Sequence, residues 1–195
     1  LKLDIRKFFA SIDQPILTRI LHDAIRDEET LWLLCEVISS FHQHLPGAGL
    51  PLGNLTSQLF ANVYMNVFDQ FVKHELKARH YIRYADDFIL LSHDHAWLLE
   101  QLPRIRTFLY NELRLSLHPD KTVLQTYTSG VDFLGYVHFS DHRVLRSASR
   151  QRMQARLRNH PTRETLASYK GLLTHGNTYG LLQNVINDHW LFSEE

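Results

Sequence analysis

The sequence predicts an α+β domain in which helices pack on one face of a small antiparallel sheet. Three features predict this class: short apolar runs of strand length, longer segments with apolar residues every three or four positions, and a helical tail from about residue 147. The chain has 195 residues, of which 44% are hydrophobic and 22% charged, unlike a disordered chain. This length is sufficient for one sizeable core, or for one domain with an appendage.

The first part of the chain is predicted to form one strand and two helices. Residues 1–5 are an apolar run that meets a carboxylate at Asp4, which predicts a strand. Asp13 followed by Pro15 predicts the start of a helix. The acidic residues 27–29 predict a solvated turn at the N-terminus of a second helix, where negative charge interacts favourably with the helix dipole.

A loop and a long helix are predicted next. Residues 49–54 are rich in glycine and proline, which predicts a loop, and we expect Thr56 or Ser57 to cap the helix after it. The apolar residues of that helix fall on one face, so we expect them to pack in the core. These residues are Phe60, Val63, Tyr64, Val67, Phe68 and Phe71.

A hairpin is predicted in the middle of the chain. Residues 81–84 and 88–92 are short apolar runs around the tripeptide 85–87, which places two acids at the hairpin tip. A helix is expected after the hairpin, with Pro103 either starting or kinking it. The remaining predicted elements are strands at residues 122–125 and 131–139 and, from about residue 147, helices broken near Pro161 and Gly176.

The composition excludes several classes of protein and of site. A single cysteine, Cys35, excludes an internal disulfide framework and a multi-cysteine zinc site. No run of about 18 apolar residues occurs and no signal-peptide pattern opens the chain, so we expect no membrane partner. The 21 basic and 21 acidic side chains cancel, so net charge does not indicate a nucleic-acid partner. Leu1 is not a methionine and already begins a strand, which predicts that the sequence is a fragment.

Three acids are predicted to lie at strand ends. Asp4 ends the first strand, and Asp86 and Asp87 lie at the tip of the hairpin. If the first strand lies beside the hairpin, the three carboxylates converge, repel one another and need a cation to neutralise them. Hard divalent ions such as Mg²⁺ take oxygen ligands, and two such ions about 3.5–4 Å apart can clamp the attacking and leaving oxygens of a phosphoryl transfer. The alternative is that the adjacent acids form only a polar turn.

The residues around these acids resemble the palm motifs of reverse transcriptases. The string Tyr-Ala-Asp-Asp at residues 84–87 is similar to the signature turn of that family. Four other motifs occur in the family's order: the first catalytic motif, the loop under template and nucleotide, the motif with a lysine near the phosphates, and the primer grip. They are residues 3–9, 49–58, 117–122 and 131–136. Five ordered motifs within residues 1–139 make the resemblance specific.

The resemblance implies a fold, an activity and partners. The fold is a reverse-transcriptase palm over residues 1–140, with a ferredoxin-like antiparallel sheet and helices on one face, followed by the primer-grip exit and a partial helical thumb over residues 141–195. The activity is RNA-directed DNA polymerisation. The partners are an RNA template, a DNA primer or its cDNA, deoxynucleoside triphosphates (dNTPs) and a basic accessory protein. We expect a bacterial or phage-encoded protein of the cytoplasm.

Residues 52–58 indicate a branch of the family. They read Leu-Gly-Asn-Leu-Thr-Ser-Gln, which resembles the enzymes of diversity-generating retroelements. Retroviral, retron and intron relatives commonly carry a glutamine where Leu52 stands. The resemblance implies error-prone copying of RNA, with frequent errors opposite template adenines. Retron, group II intron and CRISPR-associated enzymes share parts of this string and stay open as alternatives.

The resemblance also implies the residues of a catalytic centre. Asp4 and Asp86 correspond to the principal ligands of two Mg²⁺ ions, which Mn²⁺ can replace. Asp87 is implied as a weaker ligand and the Ile5 carbonyl as a further one. Lys121 stands where a lysine would attract the leaving pyrophosphate or donate a proton to it. The alternative for Lys121 is an exposed lysine at the start of a strand.

Further residues are implied to bind the nucleotide and the primer. Phe9 stands where the family places a steric gate, whose flat ring excludes a ribose 2′-hydroxyl, and Phe8 beside it is expected in the core. Leu52 offers only packing where a glutamine could form a hydrogen bond, which lowers the penalty for mispairs. The nucleotide-binding set is Phe9, Leu52, Gly53, Ser57 and Gln58, and the primer grip is Phe133, Leu134 and Gly135.

Arginines are concentrated after the primer grip. Seven of them occur between Asp141 and Glu164 with no acid among them, a pattern that suits contacts with nucleic-acid phosphates. The alternative is an ordinary solvated surface, because the arginines do not fall on one helical face. The residues expected to contact the nucleic-acid backbone are Arg146, Arg150, Arg152 and Arg156.

Other functions stay open on the sequence alone. A degenerate domain of this family could bind RNA without catalysis, although a retired site has no need of a costly acid cluster. A nucleotide cyclase of the palm type shares the carboxylates but has no use for a primer grip. The fingers that precede the palm in relatives are missing, so activity of this chain alone is an open question. The histidine pairs, His42 with His44 and His93 with His95, lack a third ligand and predict surface positions.

Overall fold

A computed structural model of the chain describes residues 1–41 and 47–188, so His42 and His44 lie outside the described residues. The chain divides into two compact units, Leu1–Leu124 and Gln125–Glu195. This division reflects packing within each unit. The predicted boundary between a palm (residues 1–140) and a thumb (residues 141–195) concerns function and stays a prediction.

The first unit contains a three-stranded antiparallel sheet. Its strands are β1 (Lys2–Asp4), β2 (His80–Tyr84) and β3 (Asp87–Leu91), in the spatial order β1-β3-β2. Strands β2 and β3 form the predicted hairpin, and β1 pairs with β3. The prediction that the first strand lies beside the hairpin is therefore confirmed.

Helices make up most of the remaining first unit, and two of them begin where predicted. The helices described there are α1 (Phe8–Ser11), α2 (Gln14–Ala24), α3 (Glu28–Ser39), α4 (Leu55–Gln70), which runs into a π-helical turn (Phe71–Glu75), and α5 (His95–Leu113). The Asp13 carboxylate accepts a hydrogen bond from the Ile16 amide at 2.9 Å, and the Asp27 carboxylate accepts one from the Thr30 amide at 2.7 Å. Each bond satisfies an amide that the helix leaves unpaired.

Helix α4 begins elsewhere than predicted, and α5 begins upstream of Pro103. The N-cap of α4 is Asn54, which has an extended backbone, so Thr56 and Ser57 lie within the first helical turn and the predicted cap is wrong. Helix α5 begins after Asp94, whose carboxylate accepts a hydrogen bond from a first-turn amide at 3.0 Å. Pro103 lies inside α5 and does not start it, because the aspartate cap already fixes the N-terminus further upstream.

One hydrophobic core joins the sheet and the helices of the first unit. The sheet contributes Leu3 and Phe88, which are fully buried. The predicted apolar face of α4 packs into this core: Phe60, Tyr64, Phe68 and Phe71 are buried, and Val63 and Val67 are partly buried. Asp4 and Asp87 alternate with Leu3 and Phe88 along their strands and so lie on the opposite face of the sheet.

The second unit contains a small sheet followed by helices. Its described elements are β4 (Val131–Phe133), β5 (Tyr136–His138), β6 (Arg143–Leu145), α6 (Ser147–Asn159), α7 (Arg163–Leu173) and α8 (Tyr179–Asp188). The three strands form an antiparallel meander. The predicted helix breaks are confirmed, since Pro161 precedes α7 and Gly176 precedes α8. Across residues 1–41 and 47–188, every helix is too short or too polar to cross a bilayer.

Two strand predictions near the unit boundary need correction. The predicted strand at 122–125 is wrong, because only Val123 pairs there, in an isolated bridge to β1. The predicted strand at 131–139 is two strands, since Leu134 and Gly135 between them have left-handed backbone, with φ of +52° and +85°. Two consecutive positive φ values are typical of the tight turn that joins antiparallel strands.

Candidate active site

Backbone pairing brings the predicted acids together at one end of the first unit's sheet. Asp4 lies directly opposite Asp87 in the register of β1 and β3, and the Ile5 amide donates a hydrogen bond to the Asp86 carbonyl at 3.1 Å. Asp86 follows Ala85, whose left-handed backbone (φ +51°) turns the chain from β2 into β3. Directly opposed residues of antiparallel strands have Cβ atoms about 4.5–5.5 Å apart. The first strand and the hairpin tip therefore share one acidic surface.

Two lysines bind two of these acids. The Nζ atom of Lys121 lies 3.0 Å from Oδ2 of Asp4, and that of Lys2 lies 3.1 Å from Oδ2 of Asp87. Lys121 ends a short 3-10 turn that is fastened to β1, because the His118 amide donates a hydrogen bond to the Asp4 carbonyl at 2.8 Å. Lys2 was not predicted, although a lysine two residues before a strand aspartate shares its face of the strand.

The acids at the hairpin tip are partly buried, and this burial sets their ionisation. Burial raises the pKa of Asp86, and the neighbouring Asp4 raises it further while Lys121 opposes the shift. Burial also raises the pKa of Asp87, against the effect of Lys2. Within the part of the chain that the structure describes, the buried Oδ1 atom of Asp87 has no hydrogen-bond partner. The cluster is therefore short of positive charge and of hydrogen-bond donors.

The chemistry of this donor set fits a hard divalent cation. Carboxylate oxygens are ligands that Mg²⁺ takes in proteins, and the unbonded Oδ1 of Asp87 is one such oxygen. Among residues 1–41 and 47–188, no three side chains of histidine, cysteine, aspartate or glutamate are already arranged as a metal site. Asp4 and Asp87 each contact a lysine through Oδ2, so each lysine competes with a cation for that oxygen. His93 and His95 are exposed, as predicted.

The predicted nucleotide loop is held beside Phe9. The Leu50 amide donates a hydrogen bond to the Phe9 carbonyl at 2.8 Å, and the Gly49 amide donates one to the Ile12 carbonyl at 2.7 Å. Gly49 has a φ of +92°, a left-handed conformation in which any other side chain would be strained, so glycine suits this position. Phe8 is buried in the core as predicted, and Phe9 is half-buried with its ring centroid 5.3 Å from that of Phe8.

The other predicted nucleotide residues differ in exposure. Leu52 is 75% exposed, and Gly53 has open space where a Cβ atom would lie. Gln58 is exposed on α4, whereas Ser57 is only 1% exposed. The Ser57 hydroxyl has no hydrogen-bond partner in the described residues. A ligand on this surface can reach Leu52, Gly53 and Gln58, but the Ser57 hydroxyl is covered.

The predicted primer grip lies in the second unit, at the turn between β4 and β5. Phe133 is buried at the end of β4, and the turn itself consists of Leu134, which is 49% exposed, and Gly135. The Arg146 amide donates a hydrogen bond to the Gly135 carbonyl at 3.0 Å, and its guanidinium lies 3.1 Å from the Asp132 carboxylate. These contacts tie the turn to the start of α6.

The other predicted backbone contacts lie on α6. Arg150, Arg152 and Arg156 are exposed, while Met153 and Leu157 of the same helix are buried. The buried pair attaches the helix to the second unit's own core. Helix α6 therefore presents a basic outer surface.

Known proteins of one family are similar to this chain in sequence. Residues 1–138 match the family described as reverse transcriptase (RNA-dependent DNA polymerase). The chain is 26% identical to Protein YkfC of Escherichia coli (strain K12) in an alignment of 184 positions, which takes in 75% of this chain and 47% of YkfC. It is 24% identical to the group II intron-encoded protein LtrA of Lactococcus lactis subsp. cremoris in an alignment of 219 positions, which takes in 76% of this chain and 35% of LtrA.

A eukaryotic sequence is also similar. The chain is 21% identical to the putative COX1/OXI3 intron 2 protein of Saccharomyces cerevisiae, over 70% of this chain and 23% of that protein. The chain thus spans less than half the length of each of these relatives. The family match itself covers well over half of the chain and includes both β1 and the hairpin. This chain therefore belongs to the reverse transcriptase (RNA-dependent DNA polymerase) family.

Proposed function

We propose that this chain is the palm and the beginning of the thumb of an RNA-directed DNA polymerase, which copies an RNA template into cDNA. One observation carries the proposal: the register of β1 and β3 sets Asp4 opposite Asp87, beside Asp86 at the hairpin tip. Membership of the family supports the same activity. Because the chain spans less than half of its relatives, the activity of the whole protein is part of the proposal.

The acids and Lys121 have separate roles in the proposed reaction. Asp4 and Asp86 are the principal ligands of divalent ions, and Asp87 and the Ile5 carbonyl contribute less. Two bound Mg²⁺ ions, or Mn²⁺ in their place, would stabilise negative charge on the attacking 3′-oxygen and the leaving pyrophosphate. Lys121 holds Asp4 with a side chain that is 55% exposed. Once it leaves that carboxylate, its ammonium group can attract the triphosphate or donate a proton to pyrophosphate.

The loop beside Phe9 is the proposed nucleotide pocket. The Phe9 ring excludes a ribose 2′-hydroxyl by its bulk and by offering no hydrogen bond, which selects dNTPs. Leu52 and Gly53 present an exposed tip, and Gln58 adds a polar group at the start of α4. Ser57 is buried beneath this surface, so only the family motif places it in the pocket.

The branch we propose is that of the diversity-generating retroelements, with error-prone copying opposite template adenines and a basic accessory protein as partner. Leu52 supports it, because its exposed side chain offers packing but no hydrogen bond to the nascent base pair. A group II intron reverse transcriptase is the second candidate, favoured by the similarity to LtrA. The intron enzymes commonly carry glutamine at the position of Leu52, which separates the two candidates.

The second unit is proposed to hold the template–primer duplex. The exposed arginines of α6 suit phosphate contacts, and the turn at Leu134 and Gly135 is the proposed primer grip.

The sheet of the first unit supports the proposed palm fold. The isolated bridge from Val123 to Lys2 adds a fourth strand-like position to this sheet, beyond β1. The resulting order Val123-β1-β3-β2 supports a ferredoxin-like palm. We place this reaction in the cytoplasm of a bacterium or of a phage-infected cell.

Primer extension tests the proposal. The chain alone, and a version that carries the flanking sequence of its source, are given an RNA template, a DNA primer, dNTPs and Mg²⁺. We expect Mg²⁺-dependent extension that Asp86→Asn abolishes while RNA binding is retained. Binding of RNA without incorporation by either version would instead support a non-catalytic RNA-binding module.

A further inference from the structure

A partly buried ion pair connects α4 to the hairpin that carries the acids. Arg83 of β2 donates two hydrogen bonds to the carboxylate of Asp69 of α4, from Nε to Oδ1 at 2.8 Å and from Nη2 to Oδ2 at 2.5 Å. The Tyr81 hydroxyl donates a third to Asp69 Oδ1 at 2.7 Å. The Arg83 side chain is only 9% exposed. A parallel two-bond contact of this kind fixes the orientation of both groups.

The same guanidinium also reaches the turn that bears Asp86. Its Nη1 atom donates hydrogen bonds to the Ala85 carbonyl at 3.1 Å and to the Asn62 side-chain oxygen at 3.3 Å. On the following residue, the Asp86 carbonyl accepts the hydrogen bond from Ile5. The two peptide groups of the turn are therefore held from two elements, α4 through Arg83 and β1 through Ile5.

This restraint acts on a backbone that is strained by itself. Ala85 has a φ of +51°, a left-handed conformation that residues other than glycine adopt at a cost. Such a conformation persists only where surrounding contacts determine it. Asp86 and Asp87 follow directly, so a relaxed turn would move both carboxylates relative to Asp4.

We propose that Arg83, oriented by Asp69, is a positioning residue that fixes the hairpin turn so that Asp86 and Asp87 face Asp4. This inference rests on the proposed function, because it gives those acids their catalytic role. Lysine cannot replace Arg83, since its single ammonium cannot bind both oxygens of Asp69 and the Ala85 carbonyl in one fixed plane. The predicted effect therefore lies in placement of the acids and not in the charge of residue 83.

The test compares Arg83→Lys with Arg79→Lys, a matched change at an exposed arginine just before the same strand. Thermal unfolding, template–primer affinity, Mn²⁺ affinity by calorimetry, and kcat and KM for dNTP incorporation are measured for each. For Arg83→Lys we expect kcat to fall about 10²-fold and Mn²⁺ affinity about 10-fold, while template–primer affinity changes less than about twofold. Arg79→Lys should match the unchanged protein in every measurement.

Hydrogen exchange at the amides of residues 84–88 provides a readout that does not depend on catalysis. We expect faster exchange there in Arg83→Lys than in Arg79→Lys. If Arg83→Lys does not fold, Tyr81→Phe weakens the same cluster by one hydrogen bond and should lower kcat about 3–10-fold, as expected for a bond worth about 1 kcal/mol.

The outcomes separate this inference from the proposed function. Wild-type kcat, Mn²⁺ affinity and exchange in a folded Arg83→Lys would overturn the positioning role, even with a lower Tm. If the unchanged protein neither binds Mn²⁺ nor incorporates dNTPs, the proposed function has failed. In that case, hydrogen exchange at the amides of residues 84–88 is the one measurement that decides the inference. Equal exchange rates in Arg83→Lys and Arg79→Lys would overturn it.

Discussion

Asp4 and Asp87 face each other across β1 and β3, and each carboxylate binds a different lysine. Like charges directly opposite in a sheet are destabilising, and partial burial adds to the cost. Lys2 and Lys121 offset that cost in the protein as described. The proposed activity depends on the same close grouping of carboxylates, so the feature that would favour activity lowers the stability of the fold.

Asp86→Asn is expected to raise Tm and to abolish polymerisation. Burial raises the pKa of the Asp86 carboxyl, so its ionised form at neutral pH destabilises the folded chain, and the neutral amide removes that cost. Primer extension should fall at least about 10²-fold, because a proposed metal ligand is lost. Differential scanning calorimetry without divalent ions measures the first effect. Glu100→Gln, at an exposed glutamate inside α5, should change neither quantity, and a lower Tm for Asp86→Asn would contradict the account.

The stability advantage of Asp86→Asn is expected to depend on pH. The folded-state pKa of Asp86 lies above its unfolded value, so the penalty in the unchanged protein is full above the folded pKa. As the pH falls through the folded pKa toward the ordinary value near about 3.9, the carboxyl becomes protonated and the penalty disappears. The Tm difference between the two proteins should therefore shrink on acidification. A difference that is constant or grows between pH 7 and pH 4 would refute this assignment.

Lys2→Met is expected to lower Tm without divalent ions and to increase the stabilisation that Mn²⁺ gives. Lys2 is the ionic partner of Asp87, so its removal leaves the opposed acids less neutralised and gives a divalent ion more charge to compensate. Thermal shifts with and without Mn²⁺ measure both effects. Lys77→Met, at an exposed lysine before β2, serves as the control and should leave the Mn²⁺-induced shift unchanged. A smaller Mn²⁺ shift in Lys2→Met would argue that Lys2 does not compete with the cation.

Leu52→Gln is expected to lower misincorporation opposite template adenine. The glutamine amide can form a hydrogen bond near the nascent base pair, and this adds a geometric check that leucine lacks. Sequencing of the cDNA from primer extension measures the error spectrum, in which we expect a reduction of about 10-fold or less. Leu55→Gln makes the same change at a leucine that is 82% exposed nearby and should leave the spectrum as it is. Identical spectra for Leu52→Gln and the unchanged protein would remove the argument for the retroelement branch.

Replacing Arg150 and Arg152 by glutamine is expected to weaken template–primer binding and its dependence on salt. Both side chains are exposed on α6, and each phosphate contact contributes about 0.9 to the slope of log affinity against log salt for a duplex. The double variant should therefore lose roughly two units of slope in fluorescence anisotropy titrations. Arg26→Gln, at an exposed arginine of the first unit, is the control. An unchanged slope would assign the α6 arginines to an ordinary solvated surface.

Local signals in the sequence predicted the elements that place the acids. Strand-length runs at residues 1–5 and 81–92 predicted β1 and the hairpin, and helices begin at Asp13 and at the acidic residues 27–29 as expected. Each of these signals acts within a few residues of the chain. Asn54 shows the limit of such signals, because it occupies the N-cap position of α4 through its extended backbone, without a side-chain capping hydrogen bond, while Thr56 and Ser57 lie inside the helix.

Contacts between distant elements could not be predicted in the same way. Arg83 and Asp69 meet only because α4 packs across the hairpin, and neither residue has a local pattern that indicates the other. The two-residue spacing between Lys2 and Asp4 indicated that both lie on one face of β1. The pairing of Lys2 with Asp87, however, depends on the register of β1 and β3. The roles of the catalytic, nucleotide-binding and primer-grip residues stay predictions.

A crystal structure with template–primer, dNTP and Mn²⁺ tests the central claim most directly. Anomalous scattering locates the manganese, and the distances to Asp4 and to Asp86 can then be measured independently. The account predicts at least one manganese ion within about 2.5 Å of carboxylate oxygens from both residues. Manganese bound to one of these residues alone, or bound elsewhere while the nucleotide occupies its site, would contradict it.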